Sequence, residues 1–196
     1  MREILIATGN AGKLREIGQL TAHLPLRWRW LAEFADLPPA VEDGHTFAEN
    51  ARRKALHYAG LTGLLTLADD SGLEVDCLDG RPGVHSARFA GPQRDDAANN
   101  RKLIGLLAGV PRQRRTARFR CAMALARPGA VLAETAGSLE GLIVDEPRGT
   151  NGFGYDPHFW LPQRGLTLAE LSADEKNAIS HRGQALRAMI AALETL

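Results

Sequence analysis

Two aspartates stand side by side after an apolar run: Leu64–Ala68 gives way to Asp69-Asp70-Ser71-Gly72. In α/β sheets, ligands bind beyond the carboxyl ends of strands, where these carboxylates are expected. Hard oxygen donors suit Mg2+, which is usually held by one or two carboxylates together with substrate phosphates. Adjacent side chains on an extended segment point to opposite sides, so the two aspartates take different roles unless a turn reorients one. One would bind metal while the other orients water. The same four residues also read as a plain acidic turn. Glu42 and Asp43, in a loop ahead of a capped helix, offer a further carboxylate or are simply polar loop.

Three more segments carry chemistry. Thr8-Gly9-Asn10-Ala11-Gly12-Lys13 lies between an expected strand and an expected helix. Backbone N–H groups at a helix N-terminus favour an anion, the glycines let a phosphate approach, and Lys13 adds charge. It is not a Walker A loop, since Leu14 stands where Ser or Thr would hold magnesium, and an ordinary strand-to-helix turn fits as well. Gly149–Pro157 packs glycines around Phe153 and Tyr155. That makes a base-stacking platform with Asp156 as an acceptor at its edge, or a tight loop whose aromatics cap the core. Lys176, Ser180, His181 and Arg182 crowd donors into seven residues near an expected helix junction at Gly183.

The elements that must position these groups follow from apolar periodicity. Glu3–Ala7 predicts a buried strand. Leu14, Ile17, Leu20 and Leu24 predict a helix stopped by Pro25, and Leu26, Trp28 and Trp30 a half-buried strand. Thr46 and Glu49 predict a capping box opening the second helix. Leu64–Ala68 and Leu73–Leu78 predict two strands parted by the Asp-Asp-Ser-Gly turn, and Arg94–Leu107 a helix. Thr116–Ala126 and Val131–Val144 predict a long antiparallel hairpin, and a helical region starts near Ser172, with Leu186, Met189, Ile190 and Leu193 on one face. This order predicts a mixed α/β sheet and not a regular doubly wound one.

Composition bounds the rest. Of 196 residues, 44% are hydrophobic and 24% charged, with a formal net charge of +1. Such a chain can bury a core, and it is neither disordered nor fibrous in composition. Its apolar stretches fall short of the roughly 18–20 residues of a membrane span. The apolar run in MREILIATGN is too short for a leader peptide. Cys77 and Cys121, without a CxxC, give neither a disulfide framework nor a thiolate zinc site. Near-neutral charge does not call for a nucleic acid polymer or a membrane surface. Arg118 and Arg120 alternate with Ala117, Phe119 and Cys121 as the solvated face of a strand. The expectation is a cytoplasmic chain forming a single domain over residues 1–196. The absence of HExxH, GxSxG, GxGxxG and EF-hand spacing counts against proteases, α/β-hydrolases and dinucleotide enzymes.

The stretches ATGNAGKLREI, TFAENARRKA, ADDSGLEVD with RPGVHSARFAG, GTNGFGYDPHFW and ELSADEKNAISHRGQAL run in series over nearly the whole chain. Together they resemble the house-cleaning purine nucleoside triphosphate pyrophosphatases that act on inosine and xanthosine triphosphates. The resemblance implies an α/β fold with an elongated mixed β-sheet flanked by helices, two lobes around a deep active-site cleft, and a homodimer. It implies Mg2+-dependent hydrolysis of ITP, dITP and XTP at the α–β phosphate bond, giving the monophosphate and pyrophosphate. Thr8, Gly9, Asn10, Ala11, Gly12 and Lys13 would cradle the triphosphate. Glu42, Asp69 and Asp70 would hold metal, with Asp70 the base. Ser71 would touch substrate, and Phe153, Gly154, Tyr155 and Asp156 would stack and read the base with Lys176, His181 and Arg182. The chain differs from the family pattern at His85, where Tyr is expected, and at Asn151, where Gly is frequent.

These residues suit in-line attack of water on the α-phosphorus, which needs charge neutralisation, donors for the equatorial oxygens, and a carboxylate beside the water. Lys176 and Arg182 are expected to present donors to the purine 6-oxo group, leaving them unpaired against adenine. Rival readings are a Maf-like pyrimidine nucleotide pyrophosphatase and a non-hydrolysing nucleotide- or RNA-binding module.

Overall fold

The computed structural model describes residues 3–34 and 36–194; Met1, Arg2, Ala35, Thr195 and Leu196, including the first two residues of the leader reading, lie outside it. In chain order the elements are β1 (Glu3–Ile6), α1 (Ala11–Thr21), β2 (Arg27–Trp30), α2 (Phe47–Thr62), β3 (Leu65–Val75), α3 (Asp96–Leu106), β4 (Thr116–Arg127), β5 (Ala130–Ile143), β6 (Phe159–Leu161), β7 (Leu166–Thr167), α4 (Ala173–Ile179) and α5 (His181–Leu193). The strands form one mixed sheet in the order β2-β1-β3-β4-β5-β6-β7. Strand β1 pairs in parallel with β2 and β3, whereas β5, β6 and β7 pair antiparallel. Only Pro128 and Gly129 join β4 to its neighbour β5, too short a link for a parallel crossover, so the two make the expected hairpin.

Contacts divide the chain into two units, Met1–Asp70 with Cys121–Gly137 and His181–Leu196, and Ser71–Arg120 with Ser138–Ser180. Each unit has its own core. In the first, Ile4, Ile6, Leu67, Cys121, Met123 and Leu125 alternate along β1, β3 and β4. They pack against Ile17 of α1 and Leu186, Met189 and Leu193 of α5. The expected apolar face of the last helix is the one that packs. Burial pushes the Cys121 thiol up to about 12, so it acts here as a small apolar side chain. In the second unit, Leu73, Val75, Phe119, Ile143 and Phe159 pack against Leu103 of α3 and Leu168 and Leu171.

Three expectations are corrected. First, Asp69-Asp70-Ser71-Gly72 is not a turn. β3 runs unbroken through it, and the two expected strands are one of 11 residues followed by a 3-10 turn over Asp76–Leu78. Gly72 serves a close approach and not a bend. A Cβ there would meet the Ser86 hydroxyl and lie 2.7 Å from the Gly83 carbonyl oxygen. Ser86 cannot retreat, because its Oγ accepts from Leu73 N–H (2.9 Å) and donates to Gly83 O (2.6 Å). Gly72→Ala should therefore cost about 1–3 kcal/mol, as overpacking does. Thermal unfolding checks this, and an unchanged midpoint would contradict it.

Second, the capping box on α2 is half made. Thr46 Oγ accepts from Glu49 N–H (3.1 Å), but the Glu49 carboxylate accepts from His45 N–H (2.8 Å) and not from Thr46. The box on α4 is complete, with Ser172 and Glu175 bonded reciprocally. Third, the helix junction lies at Ser180 and not at Gly183. Ser180 is extended at the end of α4, and Gly183 is inside α5. Lys176 and Ser180 thus do not share the face of one continuous helix.

Candidate active site

The first unit assembles its charges around β3. The last β1 pair is Ile6 with Leu67, so β3 continues past the end of β1 carrying Asp69 and Asp70. Asp69 falls in the same alternating row as Leu65 and Leu67, which pack toward α1 and α5. There its carboxylate meets Lys13 Nζ of α1 at 2.9 Å and Arg182 Nε of α5 at 3.4 Å. Arg182 is 1% exposed and also pairs with Glu16 of α1. Burial alone would push Asp69 up, but Lys13, Arg182 and Lys54 hold it well below the usual carboxylate range. Arg182 is buried yet held firmly protonated by Asp69 and Glu16.

Asp70 points the other way, to α2. Asn50 Nδ2 donates to Asp70 Oδ2 (3.0 Å), while Asn50 Oδ1 accepts from Gly44 N–H (2.8 Å). One buried amide therefore ties the Asp70 strand to the loop that carries Glu42. Burial pushes the Asp70 carboxyl up and Glu42 adds to it, against the pull of Lys13, Lys54 and the Asn50 bond. Lys54 Nζ donates to Asp69 O (3.1 Å) and pairs with Glu42 at 2.7 Å. Burial opposes its charge, but Asp69, Glu42 and Asp70 overcome this and raise its pKa.

Among the described residues, no three His, Cys, Asp or Glu side chains are gathered so as to hold a metal by themselves. Each carboxylate of the expected trio is engaged by side chains of this chain: Asp69 by Lys13 and Arg182, Glu42 by Lys54, and Asp70 by Asn50. Carboxylate oxygens fit magnesium, which completes its shell with water and phosphate oxygens. The upward push on Asp70 comes first from its burial, with Glu42 adding a smaller share.

The turn before α1 has the open backbone donors that an anion would need. Asn10 caps the helix, its Oδ1 accepting from Lys13 N–H (3.1 Å), and Thr8 Oγ accepts from Asn10 N–H (3.2 Å). The N–H groups of Ala11 and Gly12 have no carbonyl within the helix to bond. Gly9 is exposed at the head of the turn.

In the second unit, Phe153, Gly154, Tyr155 and Asp156 form a closed turn. Asp156 Oδ2 accepts from Phe153 N–H (2.9 Å) and pairs with Lys176, whose ammonium lies 4.8 Å from the Phe153 ring centre. Tyr155 Oη donates to Ser86 O (2.8 Å), and burial raises the phenol's pKa. Asn151, the departure from the family pattern, donates from Nδ2 to Leu171 O (3.0 Å), and its N–H donates to Ala169 O. His85, the other departure, faces Arg88 at 3.3 Å. Ser71 is half-buried in β3 and His181 buried at the start of α5.

The sequence profile of the Ham1 family matches residues 4–192. This chain belongs to the Ham1 family. Among its relatives is the dITP/XTP pyrophosphatase of Geobacter sulfurreducens, 53% identical over 95% of this chain and 94% of that protein. Solved structures agree. A HAM1 protein from Coxiella burnetii, 44% identical, superposes with a TM-score of 0.90 over 100% of both chains. The Staphylococcus aureus Ham1 protein, 37% identical, gives 0.88 over 99% of both.

Within this Ham1 chain, the sequence-predicted residues fall into two groups, one in each unit. Lys13, Glu42, Asp69, Asp70 and Arg182 belong to the first, and Phe153, Tyr155, Asp156 and Lys176 to the second. Arg182, expected with Lys176 as a base reader, pairs with Glu16 and Asp69. Sequence reasoning missed Glu16, Asn50 and Lys54. A signal was present: Asn50 and Lys54 lie at helical spacing within the buried stripe Phe47, Ala51, Ala55 and Tyr58, and Glu16 sits next to Ile17 on the buried side of α1. Polar residues inside a buried stripe must have partners.

Proposed function

We propose that this chain hydrolyses the non-standard purine nucleoside triphosphates dITP, ITP and XTP at the α–β bond, releasing the monophosphate and pyrophosphate. The observation that carries this reading is the split of Asp69 and Asp70 to opposite sides of β3. One carboxylate is neutralised by two cations, and the other is pushed up and fixed by an amide. The first organises Lys13 at the anion-binding turn, and the second has the character of a base. The reading is also supported by the family and by its relatives' names.

Glu42 and Asp70 would hold Mg2+, which when bound neutralises phosphate charge and polarises the phosphorus centre. The chain's own groups do the rest. The N–H groups of Ala11 and Gly12 and the side chain of Lys13 hold the triphosphate, and Lys54 adds positive charge near Asp70. Asp70 takes the proton of the attacking water, at the orientation that Asn50 fixes. Phe153 offers a ring to the purine, and Lys176 supplies a donor to its 6-oxo group. The reaction takes place in the cytoplasm, where the nucleotide pool is, and the enzyme is a homodimer. Light scattering at twice the chain mass checks the last point.

The product pair tests the bond cleaved. With dITP, anion-exchange separation should give dIMP and pyrophosphate from the first turnover; dIDP and orthophosphate would contradict the reading. Base selection has its own test. An adenine amino group would leave the Lys176 donor unpaired, at about 1–3 kcal/mol. Lys176→Ala should therefore narrow the ratio of dITP to dATP turnover by about 10-fold, and the wild-type ratio would remove Lys176 from the base site.

A further inference from the structure

Helix α3 holds the base-side turn by both ends of one peptide residue. Asp96, on the first turn of α3, accepts from Gly154 N–H at 2.8 Å, and Asn100, one helical turn on, donates from Nδ2 to Gly154 O at 2.9 Å. Residues four apart on a helix share a face, so the two side chains form a fork of fixed span. Gly154 has a φ of +63° and nothing within 4 Å of where a Cβ would stand. Glycine is therefore needed there for conformation and not for room, and the fork pins a residue that would otherwise be the freest of the turn. Its neighbours are tied in other ways: Phe153 to Asp156, Tyr155 to Ser86 and Asp156 to Lys176. The Oδ1 of Asn100 is buried with no hydrogen-bond partner among the described residues. That cost argues that the amide is present for its donor.

We propose that Asp96 and Asn100 are positioning residues for purine selection: by fixing the Gly154 peptide they set the Phe153 ring against Lys176. This rests on the function proposed above. A fork that orients the reader acts on discrimination between bases, whereas a fork that merely supports the fold acts on stability. Asp96 is exposed, so its variants should fold even if those of Asn100 do not.

The test measures kcat and KM for dITP and dATP with the wild type, Asp96→Ala, Asp96→Asn and Asn100→Ala, alongside thermal midpoints. Losing a hydrogen bond to a charged acceptor is worth about 10-fold. Asp96→Ala should raise the KM for dITP by that much and narrow the dITP-to-dATP ratio of kcat/KM, and Asn100→Ala should act in the same direction. Asp96→Asn keeps an acceptor oxygen and should restore the ratio to within about 3-fold of wild type. An unchanged ratio in Asp96→Ala, or equal effects of Ala and Asn at position 96, would overturn the proposal while leaving the enzyme's function intact. A wild-type protein that turns over neither dITP nor XTP would overturn the proposed function, and the fork's role with it.

Discussion

Asp70→Asn is expected to lose turnover by about 100-fold or more while its thermal midpoint rises. The loss follows from removing the proposed base; a positioned base contributes about 100- to 10,000-fold. The gain follows from the sign of the Asp70 perturbation. Burial pushes this carboxyl up, so its ionised form at neutral pH works against the fold. For a carboxyl whose pKa is raised on folding, stability falls as pH rises from the unfolded value, about 3.9, through the folded one. A neutral amide at position 70 removes that penalty and can still accept from Asn50 Nδ2 through its own oxygen. Kinetics with dITP, together with unfolding at pH 7, check both halves. Full activity would move the base elsewhere. A lower midpoint would mean that Asp70 is chiefly structural.

Arg182→Leu is expected to destabilise the protein by about 3–5 kcal/mol, because it takes a buried cation away from Glu16 and from Asp69, although Asp69 keeps Lys13. Glu16 pairs with Arg182, and Asp69 lies 3.4 Å from its Nε, with all three side chains almost fully removed from solvent. Replacing Glu16 as well, in Arg182→Leu/Glu16→Leu, should recover part of the loss, so that the double variant is less damaged than the two single effects added. The pH dependence has a defined sign. Asp69 is held low, so its contribution is present above the unfolded value of about 3.9 and disappears as pH falls through the folded value. Urea unfolding of wild type at pH 7 should therefore be unaffected by small changes in pH, and its midpoint should fall steeply in acid. A loss below about 1 kcal/mol in Arg182→Leu would mean that the network gives no net stability.

How much of this was legible in the sequence depended on the range of the interactions. Local signals were read well. The strand, Gly-Asn turn and helix around Thr8–Lys13, the hairpin of β4 and β5 and the helix start near Ser172 are each fixed by neighbours within a few residues. Asp-Asp-Ser-Gly misled because its composition favours a turn. Sheet pairing overrode that preference, and the glycine answers to Ser86, fourteen residues away, and not to chain reversal. The pairs that make the site were the least legible. Asn50 with Asp70 and Arg182 with Glu16 join residues 20 and 166 positions apart, and only the topology brings such partners together. Arg182 is alike: its pairing with Glu16 depends on where α5 lies against α1, which its neighbours in sequence do not give.

The most direct test of the account is pyrophosphate release from dITP, XTP, dGTP, dATP and a pyrimidine triphosphate, each with and without Mg2+. The account predicts Mg2+-dependent turnover of dITP and XTP, with little from the others. Preferential cleavage of the pyrimidine triphosphate, or tight binding of dITP in Mg2+ with no turnover, would contradict it.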